Sequence, residues 1–176
     1  MAATDRTSSG KEMRRAADEL SVSGLAVLAL GVWTSFKFFT RAFIERHRVY
    51  EDVLKAGENV RHIYLLFFTI VFIVAFLLMA LHLYIGFAAA ADAAGARIRP
   101  PYRVVSFLML IVTADSGIRN AAGFLAEGNA HSETASFIID LTLVFALFNL
   151  IRSSRKLKKL RRALSEQDAE QAGPSA

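Results

Sequence analysis

The chain has no cysteine, which excludes disulfides, thiolate metal sites, cysteine nucleophiles and CxxC redox chemistry. A membrane-embedded core needs no such staples, so this absence does not assign a compartment. Signatures of known chemistry are missing too. There is no Walker loop, no GxGxxG following a strand, no HExxH, no GxSxG and no carboxylate pair in an enzyme context. Asp115-Ser-Gly is too common a tripeptide to indicate catalysis. Four histidines are present, but only His82 falls in the middle of an apolar run. His62 lies at the other end of that run, and His47 and His131 lie in connectors. Membrane haem needs two axial ligands facing one cavity, so His82 reads as a packed or interfacial histidine, and no metal or cofactor is expected. No internal repeat is visible.

Apolar sequence is abundant: 54% of the 176 residues are hydrophobic, against a usual share of roughly 45–50%. Its distribution matters more than its amount. From Ile63 to Ala91 only Thr69 and His82 are clearly polar. A bilayer span needs about 20 apolar residues at about 1.5 Å each, and this run exceeds that.

The pattern predicts an all-α, polytopic membrane protein with a bundle of four transmembrane helices. Residues 1–19 form a polar, mobile N-terminus. The transmembrane domain covers 20–151, with spans at about 20–42, 62–91, 102–126 and 134–151. Residues 152–176 form a short basic amphipathic helix and a flexible tail. Between the first two spans, Phe43, Val49, Tyr50, Val53 and Leu54 recur at helical spacing, and Glu51 and Lys55 form an i,i+4 pair. A surface helix ending near Gly57 is expected there. The second span should stop near Gly95, and Pro101 suits the first turn of the third. A cleaved signal peptide is the rival reading of the first span. Asp18 and Glu19 abut the run, and Trp33, Phe36, Phe38 and Phe39 stand where small cleavage-site residues belong.

Net charge is +5. In a soluble protein this would raise nucleic acid as a partner. Here the basic residues flank the spans, where orientation and anionic lipid explain them. Lys and Arg outside the spans number fourteen on the side of the termini and five on the other. That bias favours a cell-membrane protein with both termini cytoplasmic. The five all lie in the first connector and pull against this. A re-entrant segment over 20–42 would remove the conflict, but it would send the basic tail outside.

Lys37, Asp115, Arg119 and Asp140 are the ionisable residues placed inside the spans. Each costs at least about 2.5–3.5 kcal/mol near the bilayer centre. Their positions put Lys37, Arg119 and Asp140 roughly 8–11 Å below one face, with Asp115 a turn deeper than Arg119 and paired to it as i,i+4. Asp140 is expected to meet Lys37 or Arg119 across helices. Such a layer either fixes helix register as a neutral cluster or lines a polar path. Gly24 with Gly31, and Gly117 with Ala121, permit close helix approach.

In the tail, Leu157, Leu160 and Leu164 form a stripe among Arg155, Lys156, Lys158, Lys159, Arg161 and Arg162. Contact with anionic lipid headgroups is the expected use of those cations, at roughly 1 kcal/mol each near the surface. No stacking aromatics are interleaved, which argues against nucleic acid. The functional expectation is a non-enzymatic subunit, scaffold or accessory factor of a membrane complex. The alternative is a small oligomeric channel or transporter that uses the intramembrane charge layer.

Overall fold

The computed structural model describes residues 2–55, 60–96, 101–127 and 130–172. Every described element is helical: α1 (Ala2–Lys55), α2 (Val60–Ala93), α3 (Pro101–Glu127) and α4 (Ala130–Ala172). All four are long and apolar enough to cross a membrane, with mean hydropathy from 1.2 in α3 to 2.9 in α2 over their most apolar windows. Their 54, 34, 27 and 43 residues correspond to roughly 81, 51, 40 and 64 Å of helix. The hydrocarbon core of a bilayer is about 30 Å thick, so α1 and α4 extend well beyond any such layer.

The two long helices absorb three segments that the sequence suggested were separate. Residues 2–19 form the first turns of α1. Met13, Ala16, Ala17 and Leu20 form a helical stripe packed into the same core as Leu157 and Leu160 of α4, and that burial orders them. The connector over 43–55 is the far end of α1, not a separate surface helix; its expected stop at Gly57 lies outside the described residues. The basic tail continues α4 without a break to Ala172, so among the described residues it forms no separate short helix. Leu157 is buried, which turns the leucine stripe toward α1 and not toward a lipid surface. The continuity of α1 through 20–42 leaves no reversal for a re-entrant segment.

The helices alternate in direction. Tyr50 of α1 meets Tyr64 of α2 edge-on, with ring centroids 6.2 Å apart. Farther down the same seam the contact tightens. A Cβ on Gly24 would lie 3.0 Å from the Ala89 Cβ, one on Gly86 would lie 2.8 Å from the Leu28 Cβ, and one on Gly31 would overlap the His82 side chain. The seam is close because three glycines leave the room. α1 also packs along α4, and α4 along α3, whereas α2 touches α3 and α4 only lightly.

α2 ends as the sequence suggested. Gly95 has φ +89°, and the Gly95 amide donates to the Asp92 carbonyl (3.1 Å) while that of Ala96 donates to Ala91 (3.0 Å). This is a Schellman cap, whose left-handed residue favours glycine. α3 begins on Pro101, where a missing N–H is harmless.

Candidate functional site

Two polar layers cross the bundle. In the first, Lys37 donates to Asp140 Oδ1 at 2.9 Å and to Ser136 Oγ at 2.7 Å. Asp140 is buried and Lys37 half-buried. Both stand on facing turns of α1 and α4, so of the two partners expected for Asp140, Lys37 and Arg119, the structure supplies Lys37. Asp115 and Arg119 also pair, at 2.9 Å along α3. A Cβ on Gly117, midway between them, would lie 3.9 Å from the Asp140 Cβ, so all four charges share one level.

They do not share one cluster. The side chains of Asp115 and Arg119 are 59% and 78% exposed, and they continue the outward face of α3 made by Val104, Leu108 and Ile111. Arg119 therefore does not meet Asp140; its charge is directed away from the bundle. Gly31 opposite His82 and Tyr50 opposite Tyr64 fix an antiparallel register that places Lys37 beside Phe76 and Leu77. These residues stand midway along the apolar run from Ile63 to Ala91.

The second layer centres on Asp92 and was not foreseen. The Tyr102 hydroxyl donates to Asp92 Oδ2 in a short hydrogen bond. Ser154 Oγ lies 2.8 Å from that hydroxyl oxygen and donates to it, since its proton is directed at the carboxylate. Arg103 Nη2 reaches the same carboxylate oxygen at 3.1 Å. Arg161 donates to Asp92 Oδ1 at 2.8 Å and to the Asp92 carbonyl at 2.6 Å. One carboxylate thus joins the end of α2, the start of α3 and the extension of α4. Arg161 also lies at the C-terminus of α2, where a cation complements the helix dipole. Of the six tail cations expected at lipid headgroups, Arg161 is committed to this hub. Lys156 stands 4.0 Å from Glu12, and Arg155, Lys158, Lys159 and Arg162 face outward.

His82 lies between the layers, buried against Gly31. Its Nδ1–H donates to the Leu78 carbonyl at 2.7 Å, so Nε2 is the acceptor, and it has no partner. Among the described residues no three His, Asp or Glu side chains converge as a metal site. No protein-family model, curated protein or solved structure matches the chain.

The Asp92 hub carried weak signals. A lone acid followed the alanine run, and Pro101 marked the start of α3 a few residues on. Ser153-Ser154 interrupted the basic tail. None of these identifies its partner across 69 positions.

Proposed function

We propose that the chain is a multi-pass protein of the cell membrane, with both termini cytoplasmic, that acts as a non-catalytic component of a membrane assembly. Residues 20–42, 62–91, 102–126 and 134–151 are its spans. The observation that carries this reading is the Asp115–Arg119 pair on the outward face of α3, level with the buried Lys37–Asp140 pair. Facing lipid at that depth, each charge carries a penalty of at least about 2.5–3.5 kcal/mol. A helix from a neighbouring protein that offers polar groups removes it. The fourteen-to-five distribution of basic residues supports the orientation.

A chain without native cysteine makes the test clean. Ile118→Cys, on the exposed face of α3, is expected to crosslink to a neighbouring chain in native membranes. Phe72→Cys, on the exposed face of α2, is expected to remain uncrosslinked. Equal crosslinking at the two positions would remove the reading.

The same exposed pair favours a second reading, a homo-oligomeric channel whose α3 faces line a shared polar path. It requires a discrete homo-oligomer in detergent and proteoliposome flux that Asp115→Asn abolishes. A monomer that copurifies with a different protein supports the assembly component instead.

A further inference from the structure

Between the cytoplasmic stretches of α1 and α4 runs a groove of about 760 Å³, within the range of small-molecule sites. Its walls differ in charge. The α1 wall carries Asp18 and Glu19 beside Arg15, and the α4 wall carries Arg152 and Lys156 beside Asn149. Arg15 is tied to Glu19 at 3.2 Å, while Asp18 and Arg152 make no ion pair among the described residues. The groove therefore offers an unengaged anion on one side and an unengaged cation on the other.

Its height is also informative. Arg152 lies twelve residues along α4 from Asp140, roughly 18 Å of helix. Asp140 is level with the midpoint of the apolar run of α2, and half a hydrocarbon core is roughly 15 Å. The groove thus opens at the level of the phospholipid headgroups. On its membrane side Val22 forms a lip. One and two turns along α4 from Asn149, Phe145 and Leu141 stand exposed at 65% and 56%, an apolar track suited to an acyl chain.

From this geometry we infer a binding site for a phospholipid whose headgroup joins a phosphate to a primary ammonium, the phosphatidylethanolamine class. The phosphate binds Arg152, Asn149 and Lys156 on the α4 wall, and the ammonium donates to Asp18 and Glu19 on the α1 wall. A phosphatidylglycerol headgroup offers the carboxylates only neutral hydroxyls, whose hydrogen bonds lack the charge assistance of an ammonium. A phosphatidylcholine headgroup has no N–H to give them. The inference rests on the membrane reading above but not on what α3 contacts.

The test uses the full-length protein in a mild neutral detergent, with native mass spectrometry counting retained lipid. Phosphatidylethanolamine, phosphatidylglycerol and phosphatidylcholine of matched acyl chains are compared. Phosphatidylethanolamine is expected to be retained about tenfold better than the other two, as loss of one charge-assisted contact predicts. Asp18→Asn is expected to remove that preference. Arg152→Gln is expected to weaken both, and Lys156→Gln tests the same wall should Arg152→Gln lower the folded yield. Soluble phosphoethanolamine at equal concentration is expected to displace nothing, because it lacks the acyl contact. Equal retention of the three lipids overturns the proposal, as does an unaltered preference in Asp18→Asn. Displacement by soluble phosphoethanolamine overturns the lipid as the source. Ile118→Cys crosslinking is read separately, so failure of the lipid site and failure of the assembly role are distinguishable.

Discussion

On the terminal side of the Lys37–Asp140 pair, Leu20 and Val27 of α1, Ile85 and Ala89 of α2, Tyr102 and Met109 of α3, and Leu143, Leu147 and Leu157 of α4 are buried in one cluster. On the other side, the buried apolar residues among those described are Ala42 and Val71. There α2 presents Leu65, Leu66, Ile70, Phe72 and Ile73 outward, and ring contacts from Tyr50 through Tyr64 to Phe68 hold the end of the α1–α2 hairpin together. The two halves are equally helical but differ in what contains them. The terminal half is closed by glycine seams, a leucine core and the Asp92 hub. The far half has fewer buried apolar residues among those described. Backbone hydrogen bonds within each helix satisfy both halves, so the difference lies in side-chain packing alone.

The sharpest way to break this contrast is at the hub. Asp92→Ala leaves Arg103 and the Tyr102 hydroxyl without their carboxylate acceptor and Arg161 with only the backbone carbonyl of residue 92, and is expected to lower unfolding stability in micelles by about 3 kcal/mol. Gly31→Ala forces a Cβ into His82 and is expected to lose about 2.5 kcal/mol by the same measurement, within the range for overpacked seams. At the dividing layer, Asp140→Asn leaves Lys37 poorly partnered, with an expected loss of about 1.5 kcal/mol. Lys37→Met combined with Asp140→Leu is expected to recover most of it, because replacing both members of a buried pair with apolar groups is often neutral. If the double substitution keeps the fold but abolishes a measured function, the pair is part of a pathway and not a register device. In the far half, Leu66→Ala is expected to change stability by less than about 0.5 kcal/mol, as for surface positions. A loss comparable to Asp92→Ala would mean that the far half is packed against something not seen in the isolated chain.

How much of this was legible follows from the range of each signal. Apolar runs marked all four helices because membrane-crossing composition is local. Pro101 and Gly95 marked the turn between α2 and α3 because their constraints are local too. Counting residues from span ends gives depth, which narrowed the partner of Asp140 to Lys37 or Arg119 without choosing between them. The outward direction of Asp115 and Arg119 could not be read, since rotation about the axis of α3 depends on which neighbour it packs against. The true lengths of α1 and α4 were hidden for a related reason. Met13, Ala16, Ala17 and Leu20 match Leu157 and Leu160 only once the two helices are side by side. Read singly, each stripe looked like a polar leader or a membrane-surface helix.

The unbroken course of α1 has a mechanical consequence. A helix turns about 100° and rises about 1.5 Å per residue, and α1 runs from Ala2 to Lys55 without a proline to interrupt it. A screw motion of one residue imposed on its N-terminal end would be passed along the helix toward Tyr50. On the way it would swing the Lys37 ammonium about a quarter of a turn from Asp140 and drive His82 off the glycine that receives it. The chain is thereby keyed at two depths against such rotation, like a shaft held by two pins. Any signal passed along it would have to withdraw both.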